Sequence, residues 1–466
     1  MIAARTVGFL VMAVGVLSLA RLMTPEEFGL FAIGTSILGV LSLLTSFGLL
    51  EWVIRSEATV SRAAVATAAV LNLCLAALAA VTLVAGPRLL PGDLVPVGLA
   101  AVLTPLALAL LVPPFVLQRE AHLHRDIAFG APSRAFVAGA VCDTAVSVGL
   151  ALAGVGAAAP AWGLFAGTFA GALALVAFSG GRRVKLARPG RSQLRDMARF
   201  GGSLTGVRVL PPLSDLLLIT ALSAVSGVAA TGLYNRASRV RDLFSETLYK
   251  AVKPVILPAL SQTLRSGVAP DEMIAQTRRR FAPVALPSFL GIALLADPLV
   301  ALILGDQWEA AVLPVQILAL GQAMTPVTQM SQTTFTALDR VNVYARIQAI
   351  ALTVRVVGGV AMAFVSLPAF CAALALARWL KGAMILRWEA RHLGLTPLDP
   401  RQRLDQTAVL TLAALAGPAA LVWGTALPPL PLVLSAVILG MAGWLGTLRA
   451  MNHPLWIDVG ATLRRG

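Results

Sequence analysis

Apolar stretches of about twenty residues, each parted from the next by a short polar or basic connection, run from one end of this chain to the other. They fall at approximately 6–20, 28–49, 64–85, 94–117, 135–153, 161–178, 202–222, 233–257, 282–304, 311–337, 345–365, 369–386, 407–425 and 430–448. A backbone in lipid must satisfy its own hydrogen bonds, which apolar runs of this length do as helices. The chain therefore reads as an all-α polytopic membrane protein of about 14 transmembrane helices. Only 13% of its 466 residues are charged and 58% are hydrophobic, whereas a soluble chain carries about 25% charged residues.

The net charge of +15 suggests nucleic acid only until its distribution is considered. With the N-terminus inside, the outer connections hold just Arg21 and Arg88, and the other loops and tails are basic. Retention of positive charge on the cytoplasmic side explains this, so no nucleic acid is implied and both termini are expected in the cytoplasm. The loop 181–200 holds seven Lys or Arg residues. With Arg278, Arg279 and Arg280, it reads as a topology signal that also meets anionic membrane lipids. The first run lacks a small-residue cleavage site and reads as a span, not a signal peptide. Cys74, Cys142 and Cys371 are scattered through apolar runs, so neither disulfide nor metal is expected, and no cofactor motif occurs. His122, His124, His392 and His453 read as solvated loop or tail residues. Trp52 and Trp388 at inner ends, and Trp162 and Trp308 at outer ends, suit interfacial belts.

Local chemistry marks one turn clearly. Thr24 is a natural N-cap, Pro25 suits the first helical position, and Glu27 completes a capping box opening the second span.

Functional residues are sought among charges that the apolar runs should exclude. A charge at mid-bilayer costs about 2.5–3.5 kcal/mol on insertion scales, and such residues face a bundle interior or an aqueous cavity. The segment 201–261 holds Arg208, Asp215, Arg236, Arg239, Arg241, Asp242 and Glu246. Arg208 and Asp215 share a helix face, with Pro211 and Pro212 interrupting the helix between them. Arg236, Arg239, Glu246, Lys250 and Lys253 form another stripe. Arg355, Arg378 and Lys381 lie in later spans, and Asp143 and Asn72 in earlier ones. The cavity candidates are Arg208, Asp215, Arg236, Arg239, Glu246, Arg355 and Arg378, with Asp143 a candidate for a coupling ion and no residue for catalysis or metal.

Glu26–Ile37 resembles Ala229–Val240 at an offset of 203, and Phe115–Glu120 echoes Phe335–Arg340 at 220. Such repeats are common in transporters. They imply two pseudo-repeated six-helix lobes, 1–180 and 202–395, joined by the basic loop 181–201. Two additional helices and a tail follow at 396–466.

RLMTPEEFGLFAIG, PPFVLQREAHLHR, TGLYNRASRV, VILPALSQ and LLADPLVALILGDQWEAAVLPVQILAL, in that order, resemble the bacterial polysaccharide flippases. These handle O-antigen and exopolysaccharide units and belong to the multidrug/oligosaccharidyl-lipid/polysaccharide exporter superfamily. The resemblance covers most of the chain and is weakest in the last two helices. It implies a central cavity walled by helices one, two, seven and eight, in the bacterial cytoplasmic membrane. It also implies alternating-access transport of an undecaprenyl-pyrophosphate-linked oligosaccharide, serving lipopolysaccharide, capsule or exopolysaccharide synthesis, with other polysaccharide assembly proteins as partners. Two alternatives remain open: a multidrug cation antiporter, which needs more buried acids, and a membrane glycosyltransferase or polymerase. The latter needs a catalytic outer loop, and the outer connections are short and carry no carboxylate pair near a sugar site, so the chain reads as a transporter and not an enzyme.

Overall fold

A computed structural model describes residues 2–49, 62–89, 91, 95–125, 130–179, 195, 197, 199, 201–202, 205–206, 208–242, 269–396 and 399–456. The described residues are helical with no strand, as expected. Ten helices are long and apolar enough to cross a bilayer, or eleven if one bent pair is a single span. Thr6–Leu22 and Leu210–Ser226 are shorter apolar helices. The inner half of the eighth expected span and most of the loop 181–200 lie outside the described residues, so the count of fourteen is not reached among them. Chain packing separates two compact units, Met1–Gly232 and Leu233–Gly466.

The first unit contains α1 (Ile2–Leu22), α2 (Pro25–Ser46), α3 (Arg62–Leu89), α4 (Leu99–Leu110), α5 (Pro113–Arg125), α6 (Gly130–Leu152), α7 (Ala159–Phe178) and α8 (Leu210–Ser226). The expected capping box opens α2: the Thr24 N–H donates to Glu27 Oε2 at 2.8 Å, and the Glu27 N–H to Thr24 Oγ1 at 3.3 Å. Asn72 on α3 is structural, its Nδ2 donating 3.1 Å to the Thr45 carbonyl in the last turn of α2. Helices α6 and α7 pack backbone to backbone, because Gly139 and Gly167 face each other and a Cβ on either would lie within 3 Å of the other's carbonyl oxygen. Gly227, at φ +90°, ends α8 and turns the chain into α9 (228–242). The first turn of α9 still belongs to the first unit and lies against α2. A Cβ on Gly232 would fall 1.8 Å from the Pro25 carbonyl oxygen, and one on Gly29 2.0 Å from that of Val228.

The second unit continues with α10 (Pro270–Leu294), α11 (Ala296–Ile303), α12 (Val312–Gly321), α13 (Thr325–Ala337), α14 (Val341–Ala363), α15 (Leu367–Leu393), α16 (Leu404–Gly424) and α17 (Pro429–Ala450). Helices α10 and α11 meet at a 74° bend. Pro287 has no N–H to offer the carbonyl of Pro283 one turn earlier. The indole N–H of Trp444 on α17 donates to that carbonyl instead, at 2.8 Å. A defect in one helix thus becomes the docking point of another.

Three expectations about individual residues are overturned here. Trp308 is no belt residue: it is fully buried, because the 3₁₀ turn Asp306–Ala311 after the bend folds its indole inward. His453 is likewise buried, where Asn452 takes a left-handed turn at φ 46° and the Leu455 N–H donates to His453 Nδ1 at 3.3 Å. Arg278 does not reach for headgroups. It forms a two-pronged ion pair with Glu389 on α15, at 2.8 Å for both contacts, and both side chains are buried.

Candidate functional site

In the first unit, Pro211 and Pro212 occupy the first turn of α8, while helical bonds continue through Val209, whose N–H donates to the Thr205 carbonyl and whose carbonyl accepts from the Leu213 N–H, both at 2.9 Å. Arg208 stands just before the two prolines and Asp215 one turn beyond them, both exposed. Asp143 occupies a different setting on α6. It is half-buried, its Oδ1 accepts a 3.0 Å hydrogen bond from Ser147, and it presses on α7 where Gly163 and Gly167 leave room for it.

The second unit gathers the remaining described candidates. On α9, Arg236 is buried and donates to Asn235 Oδ1 at 2.6 Å, while Arg239 is exposed. Arg241 and Asp242 form an ion pair at 2.7 Å. Tyr234 packs edge-on against Phe370, with ring centroids 5.1 Å apart, and so ties α9 to α15. From α15, Arg378 donates to the Gln322 side-chain carbonyl, which follows α12. One turn on, Lys381 Nζ donates 3.3 Å to the Tyr344 hydroxyl of α14 and lies 5.2 Å from its ring centre. Arg378 lies within electrostatic reach of Arg241, Arg355, Asp242 and Tyr234, and Lys381 within reach of Arg378. Helix α9 and the consecutive helices α14 and α15 therefore bring Arg241, Arg355 and Lys381 each within reach of Arg378, with Asp242 also within its reach. Glu246, Lys250 and Lys253 lie outside the described residues.

Two features escape a reading of charges alone. Gln322 and Tyr344 join the basic cluster although each is an ordinary polar residue in its own span. A groove of about 450 Å³ also opens between α10, α16 and α17, with Pro287, Gly291, Leu299, Leu415, Val437 and Met441 among its lining. Its wall is almost entirely apolar. Hydrocarbon suits it and a polar solute does not. Pro287 and Pro418 inside neighbouring spans were the available sequence signal.

This architecture defines a polytopic all-helical fold. It superposes on the lipid II flippase MurJ in an inward closed conformation with a TM-score of 0.75 and 11% identity, covering 96% of this chain and 98% of that one. An inward-facing multidrug resistance transporter of the multidrug and toxic compound extrusion family gives a TM-score of 0.60 at 15% identity, over 84% of this chain and 94% of that one. Likeness at these identities is one of fold alone. The chain itself belongs to the polysaccharide biosynthesis protein family, whose model matches residues 18–313. The succinoglycan biosynthesis transport protein ExoT of Rhizobium meliloti (strain 1021) is 24% identical over 322 residues, 66% of this chain. The match spans 62% of that relative's length.

Proposed function

We propose that this protein moves a polyprenyl-pyrophosphate-linked oligosaccharide from the inner to the outer leaflet of a bacterial cytoplasmic membrane by alternating access. It acts as a transporter and makes or breaks no covalent bond in its cargo. The observation carrying this reading is the basic cluster on α9, α14 and α15, held within membrane-spanning helices of the same unit that also contains a dry groove. A lipid-linked glycan has both chemistries: anionic phosphates that guanidinium groups bind strongly and in two-pronged fashion, and a long hydrocarbon tail that an apolar groove accommodates. A cationic drug would meet repulsion at the same cluster. Membership of a polysaccharide biosynthesis family, and a relative named as a transport protein, point the same way. Arg208, Asp215, Arg236, Arg239, Glu246, Arg355 and Arg378 are the residues proposed to meet cargo, and Asp143 the one proposed for any coupling ion.

In a strain lacking this chain, lipid-linked repeat units should accumulate on the inner leaflet and surface polysaccharide should disappear. Arg239→Ala and Arg208→Ala should insert at normal levels yet fail to restore polymer, with Lys rescuing only in part. Arg188→Ala, in the basic loop, should behave as wild type. Full complementation by both alanine substitutions would make those arginines structural and remove them from the cargo path.

A further inference from the structure

We propose that the first unit holds the headgroup of an anionic phospholipid where α5, α6 and α7 meet, with Arg119 and Arg134 contacting its phosphodiester. The site is separate from the cargo path and does not depend on the flippase reading. Val116 and Leu123 of α5 pack with Ala131 and Ala135 of α6 and Leu175 of α7. Arg119 stands three residues after Val116 and four before Leu123, on the same side of α5. The apolar span that runs into α5 ends at Leu117, so Arg119 lies about 3 Å beyond it, at headgroup depth. Phe115, one turn earlier, is 67% exposed and faces lipid. Arg119 itself is half-buried, and its Nε is buried with no hydrogen-bond partner among the described residues. An unmet buried donor is costly, and at this depth a phosphate oxygen is the acceptor that the membrane supplies.

Arg134 flanks the same apolar cluster from α6. It is exposed, and its guanidinium lies 4.9 Å from the ring centre of Phe178, the last residue of α7. Stacking occupies one face of the guanidinium and leaves its N–H edge available to an anion. A further pair of charges stands on the other side of α5. Met197 is fully buried with Leu117 and Ala121 of α5, Leu49 and Ala68. Arg195 and Arg199, two residues to either side of it, are exposed, so the buried methionine anchors both beside α5. Glu120, the acid that α5 carries, is half-buried and engaged with a partner of its own. Basic pockets between spans at the cytoplasmic boundary suit anionic headgroups, each base adding to the attraction, and the distribution of Lys and Arg puts this end of the unit inside. A zwitterionic headgroup, with its own cation beside the phosphate, gains less from the same arginines.

The test titrates the full chain, delipidated in detergent, with phosphatidylglycerol or phosphatidylcholine and counts bound lipid by native mass spectrometry. Phosphatidylglycerol should bind more tightly. Arg119→Gln should weaken it about tenfold, the worth of a charge-assisted contact, and Arg134→Gln about fivefold, the worth of one base at the surface. Phosphatidylcholine should change little in either variant, and Arg119→Lys should recover part of the loss. Arg88→Gln, at the opposite end of α3 from Ala68, should bind phosphatidylglycerol as the wild type does. Should Arg119→Gln be recovered unfolded, Arg134→Gln, at an exposed position, carries the same expectation. The proposal is overturned if phosphatidylglycerol binds no better than phosphatidylcholine, or if neither glutamine variant weakens it. Displacement of phosphatidylglycerol by an equal concentration of inorganic phosphate or of undecaprenyl pyrophosphate would overturn it too, by making the site one for free phosphate or for cargo.

Discussion

Glu389 pairs at close quarters with Arg278, 111 residues away in sequence, and both are out of water. A buried pair of this kind contributes little net stability over a well-packed apolar pair, but removing one partner strands the other charge and costs about 3–5 kcal/mol. Glu389→Gln should therefore lower the melting temperature of the purified protein markedly. The double variant Arg278→Met with Glu389→Leu should recover most of that loss. Equal melting of wild type and Glu389→Gln would show the pair to be dispensable. None of this was legible locally. Three adjacent arginines before an apolar run look like a topology signal, and only the fold reveals that Arg278 turns inward to Glu389. Trp308 and His453 escaped for the same reason: a residue type suggests where a side chain can live, while the bends at Leu295 and Asn452 decide where it does. The Thr24–Glu27 box was legible because donor and acceptor are three residues apart.

Among the elements, the crossing of α2 with the first turn of α9 is the tightest constraint on substitution. Gly29 and Gly232 are the residues that the offset of 203 pairs in sequence, and the Cβ position of Gly232 lies 3.0 Å from the Gly29 backbone nitrogen. Glycines at matching positions of the two similar stretches thus meet face to face. Gly232→Leu or Gly29→Leu would force α2 and α9 apart, since backbone atoms occupy the space required. Both should abolish complementation and lower thermal stability by more than about 2 kcal/mol, in the range of severe core overpacking. Gly39→Ala on α2 meets nothing within 4 Å and should be neutral or mildly stabilising. Wild-type behaviour of Gly232→Leu would mean that the crossing tolerates separation. The helices were readable from apolar length and capping. The Trp444–Pro283 bond joins residues 161 apart, and no periodicity announces such a pairing.

For the molecule as a whole, the all-helical polytopic class followed from apolar length and the scarcity of charge, while the joint appearance of Arg241, Arg355 and Arg378 needed three helices to be brought side by side. That cluster has an electrical consequence. A charge crossing a drop of 100 mV exchanges about 2.3 kcal/mol, and the interior of a bacterial cell is negative. On the proposed flippase reading, anionic cargo leaving the cell moves with this field. A vacant cationic site, if it shifts within the field as the transporter resets, is drawn back inward by it. Membrane voltage then does work on both halves of the cycle, first on the cargo and afterwards on the arginines it leaves behind. In vesicles, export by Asp143→Asn should follow an imposed potential as the wild type does, because the carboxylate is not the source of the drive. Loss of potential dependence in that variant would assign the coupling to Asp143. If the drive is the field itself, the excess positive charge in the second unit serves the empty protein as well as the loaded one: it is the return spring of the machine.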